Sequence, residues 1–179
     1  MKKLKLDIQM FAIEGTGKAE RKSAVLAMNV GTTEKEEYEI IGKDNDELTR
    51  ERNNNVESKL NVLGKTTVEV TNGPQVTTVD PFRFERDSKI AQKLYEIDKY
   101  DKELSEVEEE FVEIFLEDKI AEGEFAAWKR RGAIDLKSWG GDTTGVGEPF
   151  DINWVGDKVH GKFNPKTKVF TEIVETPSV

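Results

Sequence analysis

A chain of 179 residues, 36% hydrophobic and 35% charged, is long enough for one domain with a sizeable core of its own. Its formal net charge of −9 opposes a grip on nucleic acid, which needs clustered Lys and Arg. The absence of cysteine removes disulfides, thiolate nucleophiles and Cys-type zinc sites.

The first 22 residues are expected to form a flexible N-terminal arm, with a single β domain following over 23–179. The arm holds Gly15, Gly17 and many charges without a sustained period. Lys5, Asp7 and Gln9 interrupt its apolar residues, so it lacks the apolar run of roughly 7–15 residues that a signal peptide carries. No later stretch approaches the ~18–20 apolar residues of a membrane-spanning helix.

Strands are expected at Ser23 to Val30 and at about Glu37 to Ile41, stopped by Gly31 and Gly42. Residues 43–55 hold one apolar side chain, Leu48, and read as a long exposed loop; such loops are uncommon without a role. From Val56 the period becomes two: Val56, Ser58, Leu60 and Val62 point one way, and Glu57, Lys59 and Asn61 the other. Gly64-Lys65 suits a hairpin turn, and Thr66 to Thr71 alternates Val68 and Val70 against Thr67, Glu69 and Thr71. After the turn signal Asn72-Gly73-Pro74 comes a further strand, Gln75 to Val79.

One helix is expected over about 87–104, with Asp87 or Ser88 as N-cap and Ile90, Leu94, Ile97 and Leu104 on one stripe, Tyr100 near its edge. That stripe implies a helix laid over a sheet. Strands resume at about Glu108 to Glu117 and at Phe125 to Trp139, where Gly132 suggests a bulge or bend. Gly140 to Gly147 reads as a flexible Gly/Thr loop. Three short strands then close the chain: Pro149 to Val155, Lys158 to Phe163 after a Gly156-Asp157 turn, and Lys168 to Val174. The fold class is therefore mainly β with one flanking helix.

Chemistry is sparse, and no catalytic residue, metal ligand or cofactor site is expected. The single histidine, His160, stands between Lys158 and Lys162 and should face outward with them. Gly15-Thr16-Gly17-Lys18 lacks the spacing and preceding strand of a phosphate-binding loop. The acidic run Glu106, Glu108, Glu109 and Glu110 lacks a calcium-loop pattern and reads as a solvated face. Lys129, Arg130 and Arg131 are too few to hold DNA and suit an acidic neighbouring subunit better.

Three stretches resemble the major tail (tail-tube) proteins of long non-contractile-tailed phages of Gram-positive bacteria. They are Leu4 to Ala12 (LKLDIQMFA); Tyr38 through Asp98, with Pro81-Phe82-Arg83-Phe84 before the helix; and the end of the chain, including Gly140 to Gly145, Pro149 to Trp154, Gly156, Gly161 and Phe170. The opening stretch is shared with capsid proteins, and Met10 stands where the family usually has Leu. The resemblance implies a β-sandwich or barrel of the tail-tube type. It implies a homo-oligomer of stacked, six-membered rings in the virion tail, assembled in the host cytoplasm, whose lumen conducts DNA without specific binding. Its implied partners are identical subunits and the tape-measure, tail-terminator and tail-tip proteins, with no membrane involved.

Within that frame the polar side of the 56–71 hairpin is the candidate lumen lining: Glu57, Lys59, Asn61, Thr67, Glu69 and Thr71. An acidic lumen repels phosphate over a screening length of roughly 8–10 Å. The 43–55 loop, with Asp44, Asp46, Glu47, Arg50 and Arg52, is the candidate ring-stacking contact. Alternatives are a tail-completion or capsid-decorating protein, or a carbohydrate-binding β-sandwich. The last usually needs an aromatic platform, and Trp128, Trp139 and Trp154 share no obvious strand face in the sequence.

Overall fold

The computed structural model describes residues 17–32, 35–45 and 47–173. The elements are β1 (Ala24–Asn29), β2 (Tyr38–Ile41), β3 (Arg50–Glu51), β4 (Asn55–Leu60), β5 (Thr66–Thr71), β6 (Val76–Val79), α1 (Lys89–Lys99), β7 (Glu108–Ala121), β8 (Glu124–Leu136), β9 (Gly140–Asp142), β10 (Gly145–Gly147), β11 (Phe150–Asn164) and β12 (Val169–Glu172). The fold is mainly β, as the period-two segments require. One antiparallel sheet runs β2-β1-β7-β8-β11-β6-β3, with β12 also on β11; β4-β5 and β9-β10 form two separate hairpins.

The long strands β7, β8 and β11 are the frame. β11 is one strand where the sequence suggested two: the Gly156-Asp157 turn is a bulge between Val155 and Val159 inside it. On one margin β11 pairs with β6 through Phe150 to Asn153, and beyond the bulge with β12 through Gly161 to Asn164. The bulge lets the two halves of β11 bend apart, so each half carries its own partner strand.

Both faces are packed. On one, α1 lays Ile90, Leu94 and Ile97 over Met28, Phe111, Ile134, Phe150 and Ile152. Burying each such side chain stabilises by about 1.5–3 kcal/mol. On the other, Tyr38, Val112, Ile114, Ala127, Phe163 and Phe170 form a second cluster. Tyr38 on β2 and Phe163 on β11 meet edge to face at 5.7 Å, although four strand steps separate them in the sheet. A flat sheet would hold them roughly 19 Å apart, so the sheet curls strongly over this cluster.

Gly132 is not the bulge its position suggested, since the pairing runs unshifted through it on both sides. It is small because Ile152 and Phe111 cross over it: an added Cβ would lie 2.5 Å from Ile152 Cγ2 and 3.1 Å from Phe111 Cε2. The helix begins at its expected cap. Ser88 Oγ accepts the Ala91 N–H at 3.2 Å and donates to Glu39 on β2 at 2.7 Å, and the Glu39 carboxylate accepts the Lys89 N–H at 2.9 Å. A carboxylate there meets the positive end of the helix. The helix is shorter than its stripe suggested: the backbone turns to positive φ at Asp101 and Leu104, and Leu104 ends 85% exposed, outside the core.

Candidate assembly surfaces

The β4-β5 hairpin stands off the main sheet, and every residue of both strands is exposed. Its register places Glu57 opposite Glu69, Lys59 opposite Thr67 and Asn55 opposite Thr71. Five of the six lumen candidates (Glu57, Lys59, Thr67, Glu69 and Thr71) therefore share one face, where Lys59 bridges Glu69 at 2.6 Å. The sixth, Asn61, lies just past β4 in the turn. Its side chain accepts the Leu63 and Lys65 N–H groups at 3.0 and 2.9 Å and fixes the turn instead.

The opposite face is apolar and uncovered. Val56 pairs across to Val70 and Ser58 to Val68, and these valines and Leu60 are 59–72% exposed, with Val62 and Leu63 at the tip more so. The period-two pattern is right, but nothing among the described residues covers its apolar side. At the hairpin's base Gly73 lies against Asn53: an added Cβ would sit 1.7 Å from the Asn53 carbonyl oxygen, so only glycine fits.

The 43–55 segment is more engaged than a free loop. Leu48 packs on the core, Lys43 pairs with Glu85 at 2.5 Å, and β3 joins β6 at Arg50 and Glu51. Of the stacking candidates, Asp44, Glu47 and Arg52 are exposed; Arg50 is half-buried and pairs with Glu113 on β7; Asp46 lies outside the described residues. The proposed arm also falls mostly outside them. Its described part, 17–22, runs into a 3₁₀ turn, Arg21–Ser23, where Ser23, the first residue after the arm, is buried and donates to Glu117 at 2.6 Å.

Among the described residues the sheet margins remain open: β2 and β3 end the main sheet, and β12 pairs only with β11. β2 carries Ile40, 58% exposed. Such margins leave backbone N–H and C=O groups without ladder partners and invite pairing with another chain.

Most of the basic and acidic clusters singled out in the sequence are engaged within the chain, Glu106 excepted. Lys129 pairs with Glu36 at 2.9 Å and Arg131 with Glu108 at 2.7 Å, while Arg130 donates to the Gln75 side chain and the Gly156 carbonyl, each at 2.8 Å. Glu109 pairs with Lys93 at 2.7 Å. His160 is exposed beside the Trp128 ring. Gly140 to Gly147 forms the small β9-β10 hairpin. Thr144 donates its hydroxyl and its amide to Asp142, which holds that carboxyl down at about 2. Trp139 packs with Phe84 and Tyr95, whereas Trp128 and Trp154 share the helix-side face of the sheet.

Two features escaped the sequence reading. Glu148 is 1% exposed, and among the described residues neither carboxylate oxygen has a hydrogen-bond partner. Burial, then the charge of Asp98 at the end of α1, raises its pKa to about 7. The second is the exposed apolar face of the hairpin, which alternation in sequence cannot distinguish from a face packed on a core. Among the described residues no group of His, Asp and Glu side chains could hold a metal ion, and no helix is long and apolar enough to cross a membrane. Set against known proteins, the chain matches no family model and no curated relative.

Proposed function

We propose that the chain is the structural subunit of a phage tail tube, building rings that stack into a hollow cylinder through which DNA passes. The observation that carries this reading is the β4-β5 hairpin, which extends an uncovered apolar face of Val56, Leu60, Val68 and Val70 into solvent. An apolar strand pair of this kind is a hazard to a monomer and a contact surface in a polymer. The open β2 and β12 margins support the same reading, because edge pairing between identical copies closes a ring when the rotation closes. A second, non-closing contact then stacks rings into a filament.

In this reading the polar hairpin face, with Glu57 and Glu69, turns to the lumen, while the apolar face meets the neighbouring copy. The tail-tube form of the β fold, the six-membered ring and the tape-measure, terminator and tip proteins as partners belong to this proposal. Negative-stain microscopy of the concentrated protein tests it. Hollow tubes of uniform diameter are the expected result; single particles under every salt and concentration condition would reject it.

A further inference from the structure

An open cleft of about 690 Å³ lies on the helix-side face of the sheet, between β1, β7, β8, β11 and the 48–52 segment. Arg21, Arg50, Arg52 and Lys158 line it, with the rings of Trp128 and Trp154 in its wall. Among the described lining residues one carboxylate opposes these four cations: Glu113, which pairs with Arg50 and with Lys158, the latter at 2.8 Å. The cleft is thus strongly positive in a chain whose net charge is −9. Lys158 also stands 5.6 Å from the Trp128 ring centre. A ligand suited to this wall carries several negative charges and apolar surface to lie against indole.

The same molecule presents such a group elsewhere. Beyond α1 the chain turns through positive φ at Asp101 and Leu104 and enters a 3₁₀ turn at Leu104–Val107. This puts Tyr100 and Leu104 into solvent at 62% and 85% exposure. Asp101, Glu103 and Glu106 are exposed beside them in sequence and form no ion pair among the described residues, while Lys102 pairs back to Glu96 at 3.6 Å and Lys99 lies 5.0 Å over the Tyr100 ring. Neither Tyr100 nor Leu104 lines the cleft of its own chain.

We propose that the cleft receives the 100–106 knob of a second copy. Charge sign and surface chemistry match: three unpaired carboxylates beside Tyr100 and Leu104, with Lys102 turned to Glu96, meet a socket of four cations and one carboxylate walled by two indoles. The chain's own residues 1–16 fit less well, since Lys2, Lys3 and Lys5 outnumber Asp7 and Glu14. A knob on one surface and a socket on another make a heterologous contact, which propagates from copy to copy and closes only as a ring. The inference rests on the self-assembly proposed above and names one of its contacts.

Complementary charge reversal tests it. One variant carries Arg21→Glu with Arg52→Glu in the socket; the other carries Glu103→Lys with Glu106→Lys in the knob. Each alone should weaken self-association by at least about tenfold in sedimentation velocity, while melting as the wild type does. An equimolar mixture should recover association, because each knob then matches the other variant's socket. Should the double socket variant fail to fold, Arg52→Glu alone, at an exposed position, shows the same loss. Wild-type association by either variant, or a mixture no better than its components, overturns the proposal. Tubes that persist in both variants reject this contact and leave the tube reading standing, whereas a wild type that stays monomeric rejects both. Tight binding of short fluorescein-labelled DNA, abolished by Arg52→Glu, would make nucleic acid the occupant and also overturn the proposal.

Discussion

Glu148 shows how much one side chain can bias the molecule. Its carboxyl is buried with no partner among the described residues, and its pKa, raised to about 7, lies above the ordinary 4.5. As pH rises, the unfolded chain loses this proton first, so stability falls between about 4.5 and 7 and is flat above. Charged neighbours on the surrounding elements offer no relief: Asp98 repels it, Arg83 is engaged by Asp142, and Lys137 by Asp135 and Asp151. Glu148→Gln should therefore stabilise the fold at pH 8 by about 1–3 kcal/mol and leave it unchanged near pH 4. Urea titrations at the two pH values measure this; equal effects at both would show that folding does not shift the carboxyl's pKa. Glycines act by absence in the same core. At Gly161 an added Cβ would meet Phe170 Cζ at 2.3 Å and the Thr171 carbonyl at 2.5 Å. Gly161→Ala should destabilise by about 1–3 kcal/mol in the same titration, because β12 must lift from β11 to admit it.

Elements were legible in sequence where a local signal set them. The period-two runs, the Ser88 cap and the stripe of Ile90, Leu94 and Ile97 are local, and the structure carries each. Leu94 is fully buried, so Leu94→Ala should cost about 2–5 kcal/mol, read as a lowered urea midpoint. What escaped was set by distant contacts. Gly156-Asp157 reads as a turn, yet pairing of β8 on both sides of it keeps β11 continuous. Gly132 reads as a bend, yet Ile152 and Phe111 explain it. Trp128 and Trp154 come together only because β8 and β11 pair with the register they have. The 43–55 segment looked like a detachable loop, but Leu48, Arg50 and β3 tie it to the core. Deleting it should lower the melting temperature, whereas replacing residues 55–71 with a short turn should leave the melt near that of the wild type. Differential scanning fluorimetry of the two deletions separates these cases.

At the scale of the whole molecule, the sheet is well packed on both faces yet unfinished at its margins. Two cores hold the frame, while the hairpin, the β2 and β12 edges, and the knob and socket all point outward. Sequence alone could show that the hairpin alternates, but not that its apolar side faces solvent, because both arrangements have the same period. That side is the surface on which the assembly account depends most. The most direct test is sedimentation velocity of the wild type beside a variant with Val56→Ser, Val68→Ser and Val70→Ser, over a wide concentration range. The wild type should grow into large, concentration-dependent species while the variant, equally well folded by circular dichroism, stays monomeric. A variant that assembles like the wild type, or a wild type that sediments as a monomer throughout, would contradict it.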